Sequence, residues 1–307
     1  MSKFLENISR RGFLENSAFL AATAAIPISV FPKKEKKIGV QLYSVRDDMT
    51  KNPDATLRGL SEEGYKFVEC FSDFGQKRGY AFGKVFGKSI HEFNVMLKNY
   101  GLTMPSGHIN FGSKHYDVKK NDVTDDWKKI VEDALKLNQQ YLIASSWETA
   151  DRKTPDDAKK FCDLLNKAGK YCKTQNLKFG YHNHEFEFNE LGNELLYEIL
   201  LKNTDAGLVT QEMDLGWVVS ANQNPVDWFK KYPGRFELVH FKDNDKADHT
   251  KSTIIGQGKA DFPTIIENFK IGGVKHIIVE LENYEKSPLE DLKICCDNTR
   301  KLLKKFA

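Results

Sequence analysis

Two histidines and two carboxylates follow a short apolar segment in the middle of the chain. Residues 177–180 are typical of a buried strand, and residues 181–188 read Tyr-His-Asn-His-Glu-Phe-Glu-Phe. Side chains two positions apart share one face of a strand, so we expect His182 and His184 to point the same way. Two imidazoles on one face can ligate a metal ion or exchange protons near neutral pH. The alternative is a strand end that is polar only because it meets water.

Polar side chains also lie at the ends of most other predicted strands. They are Gln41, Tyr43, Glu69, His108, Glu212, Asp214, His240, Lys242, Glu280 and Glu282. Asp214, His240 and Glu280 come from three successive strands and offer a mixed set of oxygen and nitrogen ligands. Such a set suits Mn, Zn, Fe, Co or Mg better than a metal that prefers thiolates. We expect His182, on the preceding strand, to be the fourth ligand, with Glu185 as the alternative.

The elements that must position these residues alternate regularly along the chain. Predicted strands at 38–43, 65–71, 102–108, 141–145, 177–180, 206–214, 236–241 and 275–281 alternate with predicted helices at 53–63, 89–100, 122–137, 154–175, 194–201, 225–232, 262–269 and 289–304. Eight strand-helix pairs with parallel strands predict an α/β fold, the (β/α)8 TIM barrel, in which the site lies at the carboxyl ends of the strands. A doubly wound open sheet is the alternative, but it does not explain why the polar residues cluster at the strand ends.

The first residues have the pattern of an export signal. Arg10 and Arg11 precede an uncharged, Ala-rich run at 17–30, and a charged linker follows it. Paired arginines before a modest apolar run resemble a twin-arginine signal, which predicts a signal and linker at 1–36 and a single barrel domain at 37–307. The apolar run is too short for a stable membrane anchor. We therefore expect export to the periplasm, with a cytoplasmic protein that has an amphipathic amino-terminal helix as the alternative.

Charge and cysteine content restrict the function further. The chain has 46 basic and 43 acidic residues among 307, and no basic tract with interleaved aromatic residues follows the leader, so we expect no nucleic-acid partner. The five cysteines form no Cys-x-x-Cys pair, which predicts buried small hydrophobic side chains rather than a disulfide framework. The oligomeric state is left open by these patterns.

Several motifs resemble one family across most of the chain. Residues 39–46, 181–186 and 240–243, Met213-Asp214 with Trp217, Gly256-Gln257-Gly258 with Asp261-Phe262, and Val279-Glu280 resemble the sugar phosphate isomerase/epimerase family of xylose isomerase-like barrels, which also includes the AP endonucleases. The resemblance implies one divalent metal ion held by Asp214, His240 and Glu280 together with a residue of the fifth strand. Sugar epimerases of this family typically have a glutamate on that strand, where this chain has His182.

The resemblance implies a reaction on a small sugar. A base would remove the proton beside a metal-held carbonyl and leave an enediolate, which gives an isomer or epimer when the proton returns. We expect Glu280, His184 and Glu185 to be the base and proton donor, and Lys242 to lie beside the enediolate oxygen. Substrate contacts are expected from the side chains Gln41, Tyr43, Glu69, His108 and Trp217.

Three other functions are compatible with these residues. Replacement of the strand-five glutamate by histidine resembles a branch that acts on 3-keto-glycosides, so a metal-dependent lyase or hydratase is the alternative. A nuclease like the AP endonucleases and a non-catalytic sugar-binding protein are less favoured. Gly256-Gln257-Gly258 is interpreted as a plain loop rather than a phosphate site, and we expect an unphosphorylated sugar.

Overall fold

The computed structural model describes residues 36–73 and 78–307, and the predicted signal lies outside this part. Eight parallel strands close into a barrel in the order β1-β8-β7-β6-β5-β4-β3-β2. They are β1 (Ile38–Gln41), β2 (Phe67–Cys70), β3 (Thr103–Ile109), β4 (Tyr141–Ala144), β5 (Lys178–His182), β6 (Val209–Asp214), β7 (Leu238–Phe241) and β8 (His276–Val279). The TIM-barrel prediction is confirmed.

Helices follow the strands as the sequence pattern predicts. They are α1 (Arg46–Lys51), α2 (Pro53–Glu62), α3 (Ile90–Asn99), α4 (Asp125–Lys136), α5 (Pro155–Thr174), α6 (Leu196–Asn203), α7 (Leu215–Ser220), α8 (Pro225–Lys231), α9 (Phe262–Glu267), α10 (Phe269–Gly272) and α11 (Pro288–Phe306). Ser89, Thr154 and Ser287 cap three of them by accepting a backbone N–H. Among the described residues no helix has the length and apolar character to cross a membrane.

Three segments differ from the predicted elements. The glycine-rich segment between the predicted strand 65–71 and the predicted helix 89–100, for which no strand is predicted, contains the short antiparallel strands Ser72–Asp73, Arg78–Ala81, Lys84–Val85 and Lys88–Ser89. Asp133 of α4 fixes them, because its buried carboxylate accepts the Tyr80 hydroxyl at 2.9 Å and the Gly83 N–H at 2.7 Å. The other two differences are short helices without a counterpart in the prediction: α1, which precedes α2, and α7, which begins directly after β6.

Proline is accommodated within the barrel wall at β3. The pairing of β2 with β3 shifts register between Phe67 and Glu69, opposite the segment that contains Pro105. A proline lacks the N–H that a regular ladder needs, and a bulge is where this loss is tolerated. The strand continues beyond the shift, which places His108 at its carboxyl end.

The lower part of the barrel interior is apolar and tightly filled. Phe67, Tyr141, Ile143, Leu238 and Ile278 form a buried cluster of their own inside the ring of strands. Two strand glycines make room for it: a Cβ at Gly39 would overlap the Phe67 ring, and one at Gly180 would lie 2.8 Å from Ile143. The polar residues must therefore lie above this plug, toward the carboxyl ends of the strands.

The cysteines have the environment that their spacing predicts. All are buried and unpaired: Cys70, Cys162, Cys172, Cys295 and Cys296. Burial raises the pKa of the Cys70 and Cys162 thiols to about 12, so neither is a reactive thiolate near neutral pH.

Candidate active site and metal centre

The pairing register stacks the polar side chains in layers above the apolar plug. Alternate strands of a TIM barrel supply each layer. Gln41, His108, His182 and His240, from β1, β3, β5 and β7, form one layer. Glu69 of β2 and Glu212 of β6 lie below it beside Ile143 and Ile278, whereas Asp214 and Glu280 lie above it at the ends of β6 and β8. The carboxylates therefore cover both sides of a layer that contains three histidines.

The three histidine rings are in mutual contact. The ring centroid of His182 lies 4.5 Å from that of His240 and 4.8 Å from that of His108, and the His108 and His240 rings stack at 5.2 Å. All three side chains are buried. Burial, with the nearby imidazoles of His240 and His108, holds the pKa of His182 well below its usual value. A neutral imidazole is the form that ligates a metal.

One carboxylate oxygen of the upper layer, Oδ2 of Asp214, lacks a hydrogen-bond partner. Asp214 Oδ1 accepts the Trp217 N–H at 3.0 Å and so caps α7, whereas the buried Oδ2 makes no hydrogen bond. This Oδ2 lies 3.9 Å from each of His182 Nε2 and His240 Nδ1. Glu280 Oε2 lies 3.2 Å from the same His240 Nδ1. Asp214, His240 and Glu280 thus have the donor types and the spacing that a divalent cation needs.

Lys242 lies above this group. Its buried ammonium group is 3.3 Å from Glu280 Oε2 and 3.9 Å from Asp214 Oδ2, and it also donates to Glu282. The Lys242 Nζ lies 4.4 Å from the centroid of the Trp217 ring, a cation–π contact. A glycine at 216 permits this approach, because a Cβ there would lie 2.8 Å from Lys242 Cγ.

The lower layer contains two fully buried carboxylates. Glu69 Oε1 accepts a hydrogen bond from Gln41 Nε2 at 2.9 Å and lies 2.8 Å from His240 Nε2. Glu212 Oε2 lies 2.5 Å from His108 Nε2 and 3.2 Å from His182 Nδ1, although the second contact is poorly aligned for a hydrogen bond. His108 also lies 3.0 Å from Glu69 and therefore links the two acids.

The buried carboxylates of the cluster would be stabilised by a bound cation. Burial raises the pKa of Asp214 to about 6 and that of Glu212 to about 7, so both carboxylates are costly to ionise without a cation. Burial opposes the charged form of His108, but Glu69 and Glu212 raise its pKa to about 9. Burial also opposes the charge on Glu280, yet Lys242 and His240 hold its pKa below the usual range. A divalent cation would neutralise the remaining acids.

The loop after β5 is braced by Glu187, a carboxylate for which the sequence predicts no role. Glu187 is buried, and it accepts the Tyr181 hydroxyl at 2.5 Å and the His184 N–H at 2.8 Å. His184 is partly exposed, with its ring centroid 5.9 Å from Phe186 and 6.3 Å from Trp217. Burial, followed by the charge of Lys242, lowers the pKa of His184 to about 4, so its imidazole is neutral. Glu185 is half-buried in the same loop.

The backbone N–H groups of Gly256 and Gly258 donate hydrogen bonds to a side chain of the protein itself. Asp243 Oδ2 accepts the N–H groups of Gly256 at 2.9 Å and Gly258 at 2.8 Å, and Asp243 Oδ1 accepts the Ala260 N–H at 3.1 Å. An aspartate therefore occupies the position that an anion would need. The interpretation as a plain loop rather than a phosphate site is confirmed for this segment.

The structure brings the four predicted metal ligands together, but it separates the predicted substrate contacts. Tyr43 and Trp217 are half-buried near the carboxyl ends of the strands, with Lys242 and His184 above the ligand atoms. Gln41, Glu69 and His108 instead lie level with the histidines or beneath them. Glu212 is one of the polar residues at the predicted strand ends, but it was given no role in the site. Its signal was present in the sequence, because it lies two positions before Asp214 on one strand and so faces the same interior.

Comparisons with known proteins agree with this fold. The model of the xylose isomerase-like TIM barrel family matches residues 57–300. A solved sugar phosphate isomerase/epimerase from Parabacteroides distasonis is 26% identical, with a TM-score of 0.75 over 91% of this chain and 98% of its own. The fold is also that of an IolI protein solved with a bound zinc atom, at a TM-score of 0.69 and 16% identity over 88% of this chain and 99% of that one.

Sequence relatives come from a second group of enzymes. The inosose dehydratase of Geobacillus kaustophilus is 22% identical over 229 residues, which are 69% of this chain and 68% of that protein. The inosose dehydratase of Clostridium botulinum is 31% identical over 119 residues, which are 34% of this chain and 39% of that protein. With a family match across most of the barrel and polar layers at its carboxyl end, the chain belongs to the xylose isomerase-like TIM barrel family.

Proposed function

We propose that this chain is a metal-dependent sugar isomerase or epimerase that removes a proton from the carbon beside a carbonyl group. The observation that carries the proposal is the set of facing ligand atoms at the ends of β5 to β8. These are His182 Nε2, Asp214 Oδ2, His240 Nδ1 and one oxygen of Glu280. Asp214 Oδ2 is buried without a hydrogen bond, a costly state that a bound cation would relieve.

A divalent ion bound there supplies Lewis acidity, which withdraws electrons from a sugar carbonyl and acidifies the neighbouring C–H. Proton removal and stabilisation of the enediolate charge are assigned to residues of the chain. Glu280 is ionised and has a second carboxylate oxygen, so it can take the proton of the substrate carbon. Lys242 is held in its charged form by Glu280, Asp214 and Glu282, and its Nζ can stabilise the negative oxygen of the enediolate.

The loop after β5 offers a different proton carrier. His184 is neutral and lies on the loop that Glu187 braces, so its imidazole can accept or return a proton. Glu185, on the same loop, is the second candidate for this role. Trp217 presents a half-buried aromatic face beside Lys242, which suits the apolar C–H face of a sugar ring.

A lyase acting on a keto-sugar or 3-keto-glycoside is the second candidate. Epimerisation is served by similar groups on two faces of the substrate, whereas elimination needs a base and a separate acid for the leaving group. Here the carboxylate of Glu280, which follows β8, faces the imidazoles of His182 and His184 at the end of β5. The two sides therefore carry different groups, since His182 stands where related epimerases have glutamate. The similarity to inosose dehydratases supports this candidate as well.

Metal analysis followed by proton NMR in deuterated water tests both candidates. We expect about one divalent ion per chain in the wild type and much less in Asp214→Asn and His240→Ala. Asp227→Asn is the matched control, because this exposed carboxylate lies in the first turn of α8. Unchanged metal content in the first two variants would show that the ligand assignment is wrong.

The NMR outcome separates the reactions. Free ketoses and 3-keto-glycosides are offered to the metal-loaded protein. Deuterium incorporation without loss of a substituent supports the isomerase or epimerase, whereas release of water or an aglycone supports the lyase. Sugar that binds without exchange of any carbon-bound proton would contradict both proposals and favour a binding protein.

We also propose that the chain is exported through the twin-arginine route. The support is the sequence alone, namely Arg10 and Arg11 before an apolar run. Replacing both arginines with lysine should retain the protein in the cytoplasm, as measured by cell fractionation. Equal periplasmic amounts of the wild type and the double variant would contradict the proposal.

A further inference from the structure

His240 faces a different carboxylate with each of its ring nitrogens. Its Nε2 lies 2.8 Å from Glu69 Oε1 in the lower layer, and its Nδ1 lies 3.2 Å from Glu280 Oε2 in the upper layer. A neutral imidazole carries one proton, so only one nitrogen can donate while the other presents a lone pair. If Nε2 donates to Glu69, the lone pair of Nδ1 points toward Asp214 and Glu280.

Glu69 is itself held in place from several sides. Gln41 of β1 donates to its Oε1 at 2.9 Å, and His108 of β3 lies 3.0 Å from the same oxygen. The side chain is fully buried beneath the histidine layer, so it has no direct route to a substrate at the upper rim. Its contacts on both flanking strands make it a rigid acceptor for His240.

We infer that Glu69 is a positioning residue that holds the Nε2–H of His240, so that Nδ1 is presented to the metal ion. Gln41 and His108 support Glu69 in this role. The inference rests on the proposed function, because it requires the metal centre at Asp214, His240 and Glu280. Carboxylates that accept the second N–H of a ligating histidine commonly fix its tautomer and strengthen metal binding.

A metal site in the lower layer is the alternative, and it gives Glu69 a different role. His108 Nε2, Glu69 Oε1, His240 Nε2 and Glu212 Oε2 form a closed ring of contacts between 2.5 and 3.4 Å. A cation could be held there by ligands of the lower layer, and Glu69 would then be a ligand. His240 would have to bind through Nε2, which leaves its Nδ1 proton directed at Glu280 and takes the histidine away from the upper site.

Metal affinity in matched variants separates the two arrangements. Zn²⁺ dissociation constants are measured by competition with a chelating indicator for the metal-free wild type, Glu69→Leu, Glu69→Gln and Asp214→Asn. We expect Glu69→Leu to weaken binding roughly 10- to 100-fold. Glu69→Gln should recover part of this loss, because its amide oxygen can still accept from His240. Asp214→Asn should lose far more.

A spectroscopic signal tests the position of the proton directly. In the Co²⁺-loaded wild type, the Nε2–H of His240 should give a strongly shifted, exchangeable proton resonance. Burial and the hydrogen bond to Glu69 should make its exchange with solvent slow. In Glu69→Leu this resonance should broaden or vanish through fast exchange, an effect that a merely structural role of Glu69 would not produce.

A half-buried carboxylate at the other end of the barrel provides the control. Glu237 accepts hydrogen bonds from Tyr141 and Lys178, away from His108, His182 and His240, so Glu237→Gln should leave both the Zn²⁺ affinity and the resonance unchanged. Wild-type affinity in Glu69→Leu would overturn the inference while leaving the proposed function intact. Loss of binding in Glu69→Leu with retention in Asp214→Asn would place the ion in the lower layer. A wild type that binds neither metal would overturn both the inference and the proposed function.

Discussion

Asp243 should be among the most sensitive positions for stability, although it is not proposed to touch substrate. Its buried carboxylate accepts four backbone N–H groups, from Asn244, Gly256, Gly258 and Ala260, at 2.8 to 3.1 Å. In Asp243→Asn one oxygen becomes an NH2 group, so the donors on that side lose their acceptor and face another donor. The rest of the loop offers them no substitute within this network.

The size of the effect follows from these contacts. A hydrogen bond to a charged group contributes about 1.5–3 kcal/mol, and two would be lost. Burial raises the pKa of Asp243, so the asparagine avoids part of the cost of burying a charge. We therefore expect a net loss of about 3 kcal/mol, which corresponds to a fall in Tm of roughly 6–12 °C for a barrel of this size.

Thermal unfolding followed by circular dichroism measures this change. The exposed Asp227→Asn variant should melt within about 2 °C of the wild type, since surface substitutions rarely exceed about 0.5 kcal/mol. If Asp243→Asn also melted within that interval, the loop would not depend on the carboxylate. The assignment of its N–H groups to Asp243 would then be wrong.

Further outcomes follow from the barrel interior and from titrating groups away from the proposed metal site. Gly180→Ala should cost about 1–3 kcal/mol in urea unfolding, because the new methyl would lie 2.8 Å from Ile143 and 2.9 Å from Thr210, and equal stability would contradict this packing. Burial lowers the pKa of His115 to about 4, so its contribution to stability should be present above pH 6.5 and lost as the pH falls toward 4. His115→Gln should flatten that part of the pH profile. Burial raises the pKa of Glu63 to about 7, so stability should fall as pH rises from 4.5 to 7, and Glu63→Gln should remove this slope.

The architecture was accessible from the sequence because each barrel strand and helix has its own local signal. Apolar runs such as residues 141–144 and helix caps such as Thr154 identify elements one at a time. The antiparallel strands within residues 72–89 were missed because their order depends on Asp133, which is far away in the sequence. Glycines at 79, 83 and 87 have positive φ and are typical of turns, but glycine positions alone do not show that the segments between them pair.

The sequence predicts which residues contribute to the site, but not how high each side chain lies within the barrel. The polar residues were identified by their position at the strand ends. The alternation of side chains along a strand showed which of them point to the same face. The height of a side chain within the barrel depends on the stagger between neighbouring strands, which no single strand encodes. Glu69 and Asp214 therefore look equivalent in sequence, since both lie near strand ends. The register places one beneath the histidines and the other above them.

The layered cluster spans the seam where the first and last strands of the barrel meet. Gln41 and Glu69 come from the start of the described chain, whereas His240 and Glu280 come from β7 and β8, and the contact of Glu69 with His240 joins residues 171 positions apart. A ribosome must release nearly the whole barrel before these groups can meet. A nascent chain therefore cannot assemble the proposed ligand set before β8 has emerged, so loading of the proposed metal ion would have to follow closure of the barrel.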